Sequence, residues 1–221
     1  MNAENPYSAS RVSASPVNRS EGGIDIPAHA QPYLDSIRKG SPVIPFVISG
    51  VIAFVVMVAG FIVVGLGAAM QQQNGQGQGN PEGLLMGFVG VMLVALIPLI
   101  FMLIYEVRLI YRLASIMQLD DRAPSMSPTV STVLCLIPLV NIVGMILFVL
   151  KIREHYPRLV AEKDLQDAPE INGTYLIVCL VCMFLGWIPI IGAVLSILQL
   201  VFGILLLIQF HKALNYFAAR V

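Results

Sequence analysis

Apolar positions in this chain are not periodic but massed, in four runs at Val43–Met70, Gly83–Tyr105, Val130–Leu150 and Tyr175–Phe210, with polar segments between them. Each run reaches or exceeds the roughly 20 apolar residues with which an α-helix crosses the hydrocarbon core of a bilayer. The pattern predicts an all-α, polytopic transmembrane helix bundle of about four spans. It divides the chain into a polar, mostly disordered tail over 1–42 with a short juxtamembrane helix, a transmembrane helical domain over 43–212, and a short C-terminal tail over 213–221. Met1 to about Ile24 offers almost nothing to bury against the entropy of ordering. Pro32-Tyr-Leu-Asp-Ser-Ile-Arg-Lys39 reads as the short helix, with Tyr33, Leu34 and Ile37 towards lipid headgroups. With no early apolar stretch, a cleavable signal peptide is not expected, and the first run itself serves as targeting signal.

The segment between the first two runs, from Gln71 to Pro81, is rich in Gln and Gly and carries no Lys or Arg. Runs one and two therefore form a hairpin whose remote ends, flanked by Arg38, Lys39, Arg108 and Arg112, face the cytoplasm under the positive-inside bias. Past Tyr105 the pattern changes to a helical stripe of Leu109, Ile110, Leu113, Ile116 and Met117, with Arg108, Arg112 and Ser115 pointing elsewhere. It predicts a membrane-hugging helical extension. Arg108 and Arg112 there serve either as ordinary inside anchors or as contacts for anionic headgroups.

Runs three and four are interrupted. Ile137-Pro138 precedes Asn141 and Gly144, and Ile188-Pro189 precedes Gly192, so both segments are expected to be broken or kinked. The matching strings around the two prolines hint at an internal repeat. Run four would measure roughly 54 Å as one straight helix, too long for a core of about 30 Å. The expectation is one bent helix, or a half-inserted segment followed by a true span, with Trp187 near the break in an interfacial or protein-covered position. Four crossings would put the 151–173 segment outside, although it carries Lys151, Arg153, Arg158 and Lys163. A re-entrant hairpin folded at Pro138–Asn141 would return it to the cytoplasm. Run length favours the crossing, because 21 residues suffice for one span and are scant for two arms.

Composition agrees with a membrane class: 57% of residues are hydrophobic and 12% charged, and the formal net charge is zero. With basic residues scattered, nucleic acid is not an expected partner. Small residues line helix faces at Gly50, Ala53, Gly60 and Gly67, at Gly83 and Gly87, and at Gly192, Ser196 and Gly203. Close intramolecular helix packing explains them more simply than a dimer face. Cys179-Leu-Val-Cys182 has redox or metal spacing, but its apolar setting favours packing, as for Cys135. His29, His155 and His211 lie in polar segments, form no ligand cluster and are expected to be solvated. Asn18-Arg-Ser and Asn172-Gly-Thr match the glycosylation pattern but are poorly placed for it. No ionisable residue lies deep in a run, which disfavours coupled transport. Asn141 and Gln199 are the strongly polar side chains at depth, suited to interhelical hydrogen bonds or a small polar pathway. No catalytic, cofactor or metal residues are expected.

Three strings, Asn5-Pro-Tyr7, Tyr111-Arg-Leu leading to Ser125-Met-Ser-Pro128, and Leu136-Ile-Pro-Leu-Val-Asn-Ile-Val-Gly144, carry a resemblance that covers about 100–212. The chain resembles uncharacterised bacterial four-helix integral membrane proteins with an Asn-Pro-Tyr tail and an Ile-Pro-x-x-Asn helix. That resemblance implies a bacterial inner membrane and supplies no activity. The functional expectation is a non-catalytic scaffold or partner-binding subunit, in contact with the lipid bilayer and with a membrane-protein partner or further copies of itself. The alternative is an oligomeric passive channel or small-solute permease, and a membrane enzyme stands third.

Overall fold

The computed structural model describes residues 23–73, 81–122, 126–137, 140–186 and 189–221. A 3-10 turn at Ala28–Tyr33 leads into α1 (Leu34–Arg38), followed by α2 (Val43–Gln73), α3 (Pro81–Met117), α4 (Pro128–Leu136), α5 (Asn141–Glu162), α6 (Gly173–Leu185) and α7 (Pro189–Ala218). There is no strand among the described residues, and the all-α bundle expected from the apolar runs is what forms. The expected disorder of 1–24 falls almost wholly outside the described residues, as do Trp187, Pro138 and most of the polar turn after α2.

Helices α2 and α3 form an antiparallel pair whose seam is built from the small residues of run one. A methyl group at Gly60 would collide with the Val91 side chain, one at Gly87 would touch Val64 at 3.3 Å, and one at Gly50 would touch Met102 at 3.7 Å. Phe61 and Phe88 stack obliquely across the same seam, 6.0 Å apart. Backbones approach where side chains are missing, which is how helices associate when lipid removes any hydrophobic drive. The remaining surface is apolar and outward: Phe54, Val63, Leu85, Met86 and Ile97 are all largely exposed. Such a surface is stable only against lipid or another apolar partner, so this is a membrane protein.

The buried core lies elsewhere, at one end of the molecule, its base. The stripe Leu109, Ile110, Leu113, Ile116 and Met117 of α3 meets Phe148, Val149, Ile152, Tyr156 and Leu159 of α5, and Phe210, Ala213, Leu214 and Phe217 of α7. The expected membrane-hugging extension is therefore covered by protein. Ile37 is fully buried in this core with Ile24 and Ala30, not directed at headgroups, so the segment from Gly23 to Pro42 is an integral wall of the base. The residues assigned to a C-terminal tail are equally built in: Phe217 is 0% exposed, and the Val221 carbonyl accepts two bonds from the Arg38 guanidinium, at 2.9 and 3.2 Å.

The second half divides each of its apolar runs in two, at the expected break points. Among the described residues, three helices have a stretch long and apolar enough to cross a membrane, Val43–Gly67, Leu85–Met117 and Val194–Ala218, and none of them falls in the 130–150 run. It splits into α4 and α5, which fold back on one another so closely that a methyl group at Gly144 would lie 2.5 Å from the Leu134 carbonyl oxygen. Ser127 caps α4 by accepting from Val130 N–H, and Pro128 occupies its first turn. Run four divides likewise, but its halves pack antiparallel: Gly192 abuts the Gly186 carbonyl, Tyr175 stacks on Phe202 at 5.3 Å, and Asn172 N–H donates to Gln209 Oε1 at 3.0 Å. The first part of run four is α6, the shorter arm of this hairpin. The repeat hinted at around the two prolines survives as a shape, a short arm turned back on a long one, with the closest glycine contact at Gly144 in one and Gly192 in the other.

The α4–α5 and α6–α7 hairpins return the chain to the end of the molecule where the described residues begin. Tyr156 Oη bonds the Pro169 carbonyl and its ring packs edge-on against Phe217, so the 163–172 loop sits beside both termini of the described fold. Lys151, Arg153, Arg158 and Lys163 fall at the same end of the molecule as Arg38 and Lys39. In a background without native cysteines, reporters at Asp25→Cys and Asp167→Cys are expected to react with an impermeant thiol reagent from one and the same side of sealed vesicles. Labelling from opposite sides would restore the four-crossing arrangement.

Candidate functional site

Two groupings of polar side chains stand out, one inside the base and one on the apolar surface. The first forms where α3 ends. Its last turns tighten, with Leu119 and Asp120 N–H bonding to the Ile116 and Met117 carbonyls. Asp120 is left fully buried, its Oδ2 2.6 Å from His155 Nδ1 on α5 and its Oδ1 accepting Arg122 N–H at 3.0 Å. His29 Nε2 donates to the Asp120 backbone carbonyl at 3.2 Å, so the 3-10 turn, α3 and α5 meet at one residue. Burial by itself would raise the Asp120 carboxyl. The hydrogen bonds from His155 and Arg122, the charge of a protonated His155 and a bond to Glu162 outweigh it and hold the group below its ordinary value. Next to this pair, Lys163 Nζ reaches Asp121 at 2.6 Å.

His155 was expected in solvent and is instead 8% exposed, because the stripe on α5 that carries it faces the core. Its bond to Asp120 has the form of the orienting half of a catalytic triad, with Nε2 left over. Among the described residues no nucleophile is hydrogen-bonded to that ring, and neither residue lines the clefts at the base or on α7. The geometry is that of a polar pin between helices. His211, also expected in solvent, has its Nδ1 buried without a partner, while its Nε2 contacts Asn215 Nδ2 at 3.2 Å. Cys179 and Cys182 are free thiols in α6, and no group of metal-ligating side chains occurs among the described residues. Asn172 is engaged as the cap of α6, accepting Thr174 N–H at 2.9 Å.

The second grouping lies on α7. Ser196, Gln199, Leu200, Gly203, Ile204 and Leu207 recur at helical spacing along one face and border a shallow groove of about 350 Å³. Ser196 is satisfied internally, donating to the Gly192 carbonyl at 2.7 Å. Gln199 is exposed, and a methyl group at Gly203 would meet nothing within 4 Å. The same stripe continues at Gly192 into the contact with α6, so the small residues pack internally at one end and stay open at the other. Asn141, the other polar residue at depth, lies at the start of α5 with its Oδ1 buried and without a partner, and it does not border the groove of Gln199. The two amides expected as candidates for one pathway are therefore on separate hairpins.

No family model, no curated protein and no solved structure matches the chain.

Proposed function

We propose that the protein is a non-catalytic scaffold of the bacterial inner membrane, with both termini and the 163–172 loop in the cytoplasm, that binds a second membrane protein or another copy of itself through α7. The observation that carries this reading is Gln199. Its amide is exposed in the apolar stretch Ile197–Ile208 of α7, about 15 Å along the helix from the Gln209 bond at the base. An amide left facing hydrocarbon without a hydrogen-bond partner costs several kcal/mol. A contact across the open groove would satisfy it, and Gly203 beside it lets a partner backbone come close. The base supports such a role by giving the hairpins one fixed platform. The inner-membrane location rests on the resemblance and the cytoplasmic side on the charge bias. A channel reading would need Asn141 and Gln199 to share a lining across copies, and nothing in one chain favours it.

Affinity purification in mild detergent with intact-mass analysis tests the proposal. The expected result is a complex of fixed stoichiometry. Gln199→Leu should weaken it about threefold and Gly203→Leu about tenfold or more, with the isolated chain melting as before. Purification of a lone chain under every mild condition would sink the scaffold reading.

A further inference from the structure

Where the apolar span of α3 ends, a cleft of about 550 Å³ opens between α1 and α3, bordered by Asp35, Ser36 and Lys39 on one wall and Arg108, Tyr111 and Arg112 on the other. Its position is set by the chain on both sides. Leu85 to Tyr105 is about 31 Å of helix, the thickness of the hydrocarbon core, so Arg108 emerges at the headgroup level. Lys39 precedes the start of α2 by four residues and lies at the same level from the other wall. The cleft is held open by its own hydrogen bonds: the Arg112 Nη1 donates to the Gly40 and Lys39 carbonyls, tying the end of α1 to α3. Gly40 has φ +69°, the left-handed conformation that turns the chain from α1 into α2 and presents that carbonyl. Asn215 of α7 fixes the same turn by accepting Ser41 N–H at 3.1 Å.

The wall chemistry is that of an anion site. Three cations against one carboxylate leave a net charge of plus two. Arg112 has five donors, and its two carbonyl bonds use only Nη1. The Arg108 guanidinium lies 5.6 Å from the Tyr105 ring centroid, which orients it while leaving its edge for a ligand. Neither Lys39 nor Arg108 has an ion-pair partner among the described residues. Arg108 and Arg112 stand one turn apart on α3, a like-charge spacing that is unfavourable until an anion bridges it. Asp35 and Ser36 add acceptors suited to a headgroup hydroxyl.

We infer that this cleft binds the phosphodiester of an anionic membrane lipid, with Lys39, Arg108 and Arg112 on the phosphate. Because a lipid there touches both α1 and α3, it would act as a further tie between the base and the long hairpin.

The test uses the full chain in mild detergent, titrated with short-chain phosphatidylglycerol, short-chain phosphatidylcholine or inorganic phosphate and read by native mass spectrometry. The expected result is one phosphatidylglycerol retained per chain in preference to phosphatidylcholine. Lys39→Gln and Arg108→Gln should each weaken that binding about fivefold, while Lys212→Gln, an exposed cation on α7 outside the cleft, should leave it unchanged. Should a cleft variant prove unstable, raising the salt concentration on the wild-type chain must still release phosphatidylglycerol more readily than phosphatidylcholine. Equal retention of the two lipids, or equal weakening by Lys212→Gln, would overturn the site. Displacement of the lipid by inorganic phosphate at equal concentration would overturn the lipid as ligand and leave a soluble anion in its place.

Discussion

Replacing Asp120 with alanine is expected to lower the stability of the base by about 3 to 5 kcal/mol, a fall in melting temperature on the order of 10 °C in mild detergent. The change leaves the buried His155 Nδ1 with no acceptor and takes the side-chain acceptor from Arg122 N–H, so the tie between the end of α3 and α5 is lost while the His29 bond to the backbone carbonyl of residue 120 stays. His155→Ala should be similarly severe, because it strands a fully buried carboxylate. The double variant should lose much less than the two single losses added together, since one interaction is being removed twice. The pH dependence follows from the direction of the Asp120 shift. A carboxyl held below its unfolded value stabilises the fold fully above about pH 4 and loses that contribution as pH falls through its folded value. Wild type should therefore lose stability on acidification below pH 4 more steeply than Asp120→Ala. If both variants melt with the wild type at neutral pH, the buried pair does not hold these helices together.

The second large effect is expected at Gly144. A β-carbon there would meet the Leu134 carbonyl oxygen at 2.5 Å, its carbon at 2.6 Å and the Cys135 nitrogen at 2.9 Å, all of them backbone atoms that no rotamer change can move aside. Gly144→Ala must spread α4 from α5, at about 2 to 3 kcal/mol, and should expose Cys135, now 4% exposed, to thiol reagents. Gly90→Ala is the matched control. Nothing lies within 4 Å of its added methyl, and alanine is the better helix former by up to about 1 kcal/mol, so the sign of the effect should reverse. Destabilisation of equal size at both sites would mean that helix chemistry and not the hairpin contact decides the outcome.

The long hairpin and the two break points could be read from the sequence because they depend on local features, namely apolar length, an uncharged Gln and Gly turn, and Pro followed by Gly. The fold of the second half could not, since an apolar run reports how much chain avoids water and not its path. Twenty-one such residues serve one span or, with help from apolar residues in the charged segment that follows, the α4–α5 hairpin. That help came from Ile152, Tyr156 and Leu159, which extend α5 through a segment that reads as loop because Lys151, Arg153, Glu154 and Arg158 dominate it. The same masking hid Asp120 and His155, partners 35 positions apart in stretches that look solvated. The stripe on α3 was legible as a stripe, but its partner was not, because lipid and protein satisfy apolar side chains equally well. The surplus of cations over 151–163 was the signal that favoured a run three folded back on itself, and run length outweighed it.

The base also imposes an order of events during biosynthesis. Its core joins Ile24 and Ile37 near the beginning of the sequence to Phe210, Leu214 and Phe217 near residue 221. Helices α2 and α3 can enter the bilayer as soon as they are made, since their seam is complete between themselves. The core cannot close until α7 has emerged, so until then the part of the α3 stripe that α7 covers stands open beside the membrane. An insertion chaperone or the lipid surface itself has to shield it during that interval, and a stall before α7 would leave an anchored but open intermediate for membrane proteases to find.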